Sequence, residues 1–186
     1  MTNNEIDRHS LSSYLNEFLN VAKFKDYAPN GLQVQGKDSV RTIVTGVTAC
    51  QPLIEQAIAL NADAILVHHG FFWKNEPEVL TGMKYKRIKA LMENDISLFG
   101  YHLPLDAHHG LGNNAQLAQQ LGILNPAVYE DVPQDLLWHG HLMQPMSATD
   151  FNTHISRVLQ REALHIGDCT KPIHTVAWCT GGAQDY

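Results

Sequence analysis

Cysteine is scarce in this 186-residue chain, and the three present, Cys50, Cys169 and Cys179, form no C-x-x-C pair. An odd, unpaired set argues against a disulfide framework or a zinc knuckle and fits a reducing compartment, so a cytoplasmic location is expected. Basic charge is also thin: 13 Lys and Arg against 19 Asp and Glu give a formal net charge of −6, with no Lys/Arg cluster. A nucleic-acid surface needs a concentrated basic face to displace counterions from phosphates, so no nucleic-acid partner is expected. Long apolar runs are missing as well. Nothing approaches the ~20 apolar residues of a membrane span, and the opening MTNNEIDRHS is polar and acidic, without the apolar stretch of a signal peptide. Export and membrane insertion are not expected. With 44% hydrophobic and 17% charged residues the chain is nevertheless too apolar for disorder. Its length suits one well-buried α/β domain, or one domain carrying a smaller insertion.

What the chain has in abundance is histidine, 11 residues in all. Neutral imidazole is the commonest protein ligand for transition metals, so the placement of these residues matters most.

After Ser10, read as an N-cap, Leu11, Tyr14, Leu15, Phe18 and Leu19 recur at helical spacing and predict a first helix. Residues 27–36 are dense in turn formers and read as a loop, pinned to the core by Leu32 and Val34. A strand is predicted over 41–47, then a helix over 53–61 with Pro52 where a first turn tolerates it. Residues 64–67 are a short continuous apolar run, the mark of a strand covered on both faces, ending abruptly in His68, His69 and Gly70. A helix over 83–93 leads to another apolar strand over 96–101, which ends in His102, Leu103, Pro104, Leu105 and Asp106. This β-α-β-α-β order predicts an α/β fold with a mainly parallel sheet and helices on both faces.

A Gly-rich turn at 110–114 opens a further helix to about residue 121. The pattern weakens over 125–140, where strands are expected. Ser147 with Asp150 resembles a capping box ahead of a helix to Leu159, and strands are predicted at 163–166 and 174–179. Residues 173–184 echo 43–51: a β-branched run, small residues, then Gln where a helix should begin. A division into residues 1–124 and 125–186 is therefore expected, the second part being an insertion or the start of a second α/β half whose C-terminal portion is lacking.

In open parallel sheets, ligands bind beyond the carboxyl ends of the strands, where loops converge side chains and helix N-termini supply positive dipoles. His68, His69, His102 and Asp106 all fall at such ends. Adjacent strand residues point to opposite faces, so His68 and His69 can both turn inward only where the pleat breaks, a break that Gly70 permits. Two consecutive ligands suit two ions better than one. Imidazole and carboxylate favour zinc, iron, manganese, cobalt or nickel, and two such ions roughly 3.5 to 4 Å apart lower the pKa of a bridging water and promote hydrolysis. The alternatives stay open: a capped structural turn, or metal-free acid/base work by the same groups. The pairs His108/His109 and His139/His141 are weaker candidates for ligation. Residues 110–114 are either a phosphate cradle or a capped turn, and Phe71, Phe72 and Trp73 either line a pocket or cover the core. Lys84, Lys86, Arg87 and Lys89 read as the solvated face of a helix.

The blocks Tyr27-Ala-Pro-Asn-Gly-Leu-Gln-Val34, Thr45-Gly-Val-Thr48, Val67-His-His-Gly70 with Phe72-Trp-Lys74, His102-Leu-Pro-Leu-Asp106, Gly112-Asn-Asn114 and Ala177-Trp-Cys-Thr-Gly-Gly182 occur in an order that resembles one family. It is the family named for Ngg-interacting factor three, whose bacterial members are called GTP cyclohydrolase 1 type 2 homologs. The resemblance implies that His68, His69 and Asp106 are metal ligands and that His102 contacts substrate or supports the metals, orienting groups or shuttling protons as a catalytic residue. It implies two divalent ions per full-length subunit, two pseudo-repeated α/β halves, a ring-shaped homohexamer, and remaining ligands, a histidine and a bridging glutamate, from a block beyond Tyr186. The activity implied is metal-dependent hydrolysis of a small nucleotide-like or phosphorylated substrate; the rival is a non-catalytic metal-handling or regulatory protein using the same residues.

Overall fold

The computed structural model describes residues 5–168 and 171–181, which belong to two compact units, Met1–Leu105 and Asp106–Tyr186. In the first unit a two-residue ribbon, β1 (Ile6–Asp7) with β3 (Ser39–Val40), flanks a four-stranded sheet of order β2-β6-β5-β4. Its strands are β2 (Gly31–Val34), β4 (Ile43–Thr48), β5 (Ala64–His69) and β6 (Ser97–Gly100). The pairs β4–β5 and β5–β6 are parallel and β2–β6 is antiparallel. Three helices belong to this sheet: α1 (Arg8–Phe18), α2 (Gln51–Ala59) and α3 (Gly82–Glu93).

The expected layers are present, and the alternation along β5 shows why. Ile65 and Val67 point to one face, where Ile54 and Ala57 of α2 and Ile88 and Leu91 of α3 bury them. Ala64 and Leu66 point to the other face, against Leu11, Leu15 and Leu19 from α1 and its end. A strand covered twice must be apolar throughout, as the 64–67 run is.

In this unit two expectations need correction. The first helix is capped by Asp7, whose Oδ1 accepts from the Ser10 amide at 2.9 Å; Ser10 lies inside the helix. Part of the segment read as a loop is the edge strand β2. Its turn formers do turn the chain, but Leu32 and Val34 then pair with Phe99 and Leu98 across a bulge. The extra residue, Gln33, sends Leu32 to the α1 face and Val34 to the opposite one.

The chain passes from one unit to the next within the short helix α4 (Leu103–Ala107). The second unit holds α5 (Asn113–Leu121), α6 (Ala148–Val158) and an antiparallel sheet β7-β8-β9, formed by Leu124–Val128, Trp138–Ser147 and Pro172–Trp178. Ala118, Leu121 and Ile123 bury against Ile155, Val158, Val176 and Trp178, so α5 sides with this sheet and the units divide earlier than residue 124. Ser147 caps α6 as expected, its Oγ accepting from the Asp150 amide. The strand expected at 163–166 does not form: Leu164 and Ile166 are 87% and 85% exposed, with no ladder to join. The helix expected after Gln184 lies outside the described residues.

Candidate metal centre

Parallel pairing aligns the carboxyl ends of β4, β5 and β6: Thr48 faces His69 in the ladder, and the Tyr101 amide donates to Val67 O at 2.9 Å, carrying the chain on to His102. His68, His69 and His102 thereby converge. Each offers a ring nitrogen within 4.8 Å of the others, and their ring centroids lie 4.3, 5.0 and 5.7 Å apart. All three are half-buried. Among the described residues this is the one group of three or more potential ligands gathered so closely. His102, expected to act beside the metals, brings the third ring nitrogen to this group.

The orientation of the rings follows from what holds their other nitrogens. His68 Nδ1 lies 3.1 Å from Tyr101 O, and a carbonyl only accepts, so Nδ1 carries the hydrogen and Nε2 keeps its lone pair. His69 Nδ1 lies 3.1 Å from the Thr48 hydroxyl. His102 Nδ1 lies 2.7 Å from Asp26 Oδ1, a carboxylate whose side chain is only 3% exposed. Burial alone pushes the Asp26 carboxyl upward, but hydrogen bonds from His102, Asn30 and the Leu103 amide outweigh it and hold the group below the usual carboxylate range. The Tyr101 phenol donates to Asn16 Oδ1 at 2.9 Å, and burial pushes its pKa above the ordinary value, so it stays neutral.

The walls come from segments whose purpose periodicity does not reveal. Gly70 has no left-handed backbone; its role is space. A Cβ there would sit 2.1 Å from Gln33 Oε1, which accepts from the Phe71 amide at 2.7 Å while Gln33 Nε2 donates to Pro29 O at 2.8 Å. Gly100 is bare for the same reason, with Gln33 Nε2 2.7 Å from its would-be Cβ. In this turn Phe72 adopts the positive φ, at 64°. The aromatic triplet splits: Phe71 is core, Phe72 is at the surface beneath the Lys84 ammonium, and Trp73 stands edge-on to His102 at 4.8 Å with its Nε1 donating to Gly70 O.

Asp106, the fourth expected site residue, belongs to the second unit. It is buried and accepts from Asn113 Nδ2 at 2.8 Å and Thr180 Oγ1 at 2.9 Å. The other candidates resolve towards structural uses. His108 Nδ1 accepts from the Gly110 and Leu111 amides, capping a turn, and His109 approaches Asp135. His139 packs on Tyr129. The asparagines of the Gly-rich turn are engaged, Asn113 with Asp106 and buried Asn114 with Leu136 O, which favours a capped turn over a phosphate cradle. Sequence reasoning missed Asp26, Asn30 and Gln33. Asn30 and Gln33 lie in the block Tyr27–Val34 that carries the family resemblance, and Asp26 directly precedes it.

A donor set of three imidazoles fits a borderline divalent ion, for which nitrogen bonds of about 2.0–2.1 Å are usual. The family model for Duf34/NIF3 (NGG1p interacting factor 3) matches residues 6–186. The Vibrio cholerae protein named GTP cyclohydrolase 1 type 2 homolog is 56% identical over 178 residues, 95% of this chain and 71% of that protein. The Escherichia coli K12 protein of the same name is 51% identical over 95% of this chain and 70% of its own length. Among solved structures, protein ybgI, described as of unknown function, superposes with a TM-score of 0.90 at 50% identity, covering 96% of this chain and 71% of that one. TTHA1606 from Thermus thermophilus does so at 0.77 and 29%, covering 91% and 69%.

Proposed function

Because this chain belongs to the Duf34/NIF3 family, we propose that it is a divalent-metal protein using His68, His69 and His102 as ligands and hydrolysing a small nucleotide-like or phosphorylated substrate. The observation that carries this reading is the convergence of three imidazoles whose ring nitrogens lie within 4.8 Å. Two of them are held through Nδ1 by groups that only accept, which puts the lone pair on Nε2, the nitrogen that would donate to an ion. Such an ion, when bound, supplies Lewis acidity towards a substrate oxygen or water. From its match to the family motif Asp106 enters the proposal as a further metal ligand, and the resemblance adds a second ion, a ring-shaped homohexamer and a cytoplasmic setting. Trp73, edge-on to His102, shields that imidazole. His102, expected to orient groups or shuttle protons, stands within the same group with its Nδ1 engaged by Asp26.

That same engagement favours a second reading, in which the site stores or delivers an ion and turns nothing over. Purified protein, analysed for metal and then assayed against nucleotides and phosphoesters, separates the two. Hydrolysis abolished by His69→Ala supports the enzyme. Metal exchange without turnover supports the carrier, and metal at background in the wild type sinks both.

A further inference from the structure

We propose that the cleft between the first turns of α2 and α3 binds the phosphate group of a small phosphorylated molecule, held by Arg87 and Lys86. The connections from β4 to α2 and from β5 to α3 both leave the carboxyl edge of the parallel strands, so the two helices begin on the side where the histidines stand. Between them lies a cavity of about 470 Å³, lined by Gln51, Glu55, Gly82, Met83, Lys86 and Arg87. That volume falls within the ~300–1,000 Å³ of small-molecule sites. The site goes beyond the metal reading and does not rest on it, since none of the clustered histidines lines this cavity.

Sequence spacing gives α3 a solvated basic face, and two of its cations are paired there. Lys84 Nζ lies 3.2 Å from Glu76 Oε2, and Lys89 Nζ 3.4 Å from Glu93 Oε1. The other two, Lys86 and Arg87, line the cleft, and among the described residues neither side chain has an ion pair or hydrogen bond. An unpaired, exposed lysine is ordinary. Arg87 differs: it is half-buried, and its Nε is enclosed with no acceptor, a state folded proteins rarely carry without a use. Glu55 is the one carboxylate on the wall, and its Oε1 already accepts from Gln51 Nε2 at 3.0 Å. Two cations against one carboxylate leave the cleft net positive. Thr81, the N-cap of α3, makes no side-chain bond to the first turn, so the amides of Gly82 and Met83 add donors to the same wall. A guanidinium fork, an ammonium and uncapped amides are more donors than the two oxygens of a carboxylate can use, whereas a phosphate group offers three.

The test uses the whole chain and inorganic pyrophosphate, titrated calorimetrically at low salt, with citrate as a carboxylate control of similar charge. Wild type is expected to bind pyrophosphate at least about tenfold more tightly than citrate. Arg87→Gln loses charge-assisted hydrogen bonds and should weaken pyrophosphate binding by about 10–100-fold, with Arg87→Lys in between. Lys86→Gln should cost about threefold and Glu55→Gln should gain about threefold, the effect of one unit charge roughly 6 Å away in water. His69→Ala should bind as the wild type does. The proposal is overturned by a wild type that takes up no pyrophosphate, by equal affinity for citrate, or by a folded Arg87→Gln that binds undiminished. Weaker binding in Glu55→Gln overturns it as well, because Arg87 then belongs to Glu55. So does loss of binding in His69→Ala, which puts the anion on the histidines. If Arg87→Gln does not fold, the opposite shifts of Lys86→Gln and Glu55→Gln decide the matter, and their absence refutes the site. None of these outcomes touches the metal reading, which stands or falls on metal content.

Discussion

Replacing Gly70 by alanine tests the packing that frames the three imidazoles. The added methyl would lie 2.1 Å from Gln33 Oε1, 2.7 Å from its Cδ and 2.8 Å from Nε2, distances no real Cβ tolerates, so the amide must withdraw. Its withdrawal breaks two hydrogen bonds. The Phe71 amide, part-buried, loses its acceptor at a cost of about 1–3 kcal/mol, and the more exposed bond to Pro29 O contributes about 0.5–1 kcal/mol. Gly70→Ala is therefore expected to destabilise by about 1.5–4 kcal/mol, a large part of the ~5–15 kcal/mol a typical domain has. With a urea m-value near 2 kcal/mol/M, the midpoint falls by roughly 0.8–2 M. Trp73 reports locally, since its Nε1 bonds Gly70 O. Gln33→Ala alone loses the same two bonds, and once the amide is gone the methyl has room, so the double variant should be little worse than Gln33→Ala. A Gly70→Ala loss below about 1 kcal/mol, or losses that simply add, would refute the account of why glycine stands there.

Two further predictions concern the fold around the site. The Asp63 carboxyl, pushed up by burial but pulled further down by Lys37 at 2.5 Å and by the Thr42 and Arg41 amides, titrates below its usual range. A carboxylate depressed in the folded state adds stability above its unfolded pKa and loses it as pH falls through the folded one, so Asp63→Asn should flatten the acid limb of stability against pH; an unchanged limb in urea titrations at stepped pH counts against the pairing. Leu91→Ala opens a cavity where α3 meets the sheet at a fully buried position, and a loss of about 2–5 kcal/mol is expected by urea unfolding; a loss under about 1 kcal/mol would mean that this face of the sheet is not packed as described.

Much of the site is legible in the chain because its two principal histidines are neighbours. A tandem pair followed by glycine, at the end of an apolar run too short for a helix, says strand end and candidate ligand at once. Even so, the sequence points to backbone freedom at Gly70, whereas its use is to admit the Gln33 amide, a partner 37 positions earlier in the chain. The edge strand β2 is hidden because the segment's local composition favours turns, and a bulged ladder with β6 overrides that preference. The 163–166 stretch errs the opposite way: its apolar residues resemble a strand, but without a ladder they stay exposed.

By itself the sequence determined the features that short-range periodicity and local motifs encode: the alternation of strands and helices, the double covering of β5, the cap at Ser147, and the family resemblance carried by ordered blocks. Tertiary structure alone decided that a ring nitrogen of His102 comes within 4.8 Å of those of the histidine pair and that Asp26 holds its ring from 76 residues away. The physical reason is that hydrophobic spacing repeats within a few residues and is written along the chain. A hydrogen bond between two loops depends on three-dimensional closure, which leaves no period to read.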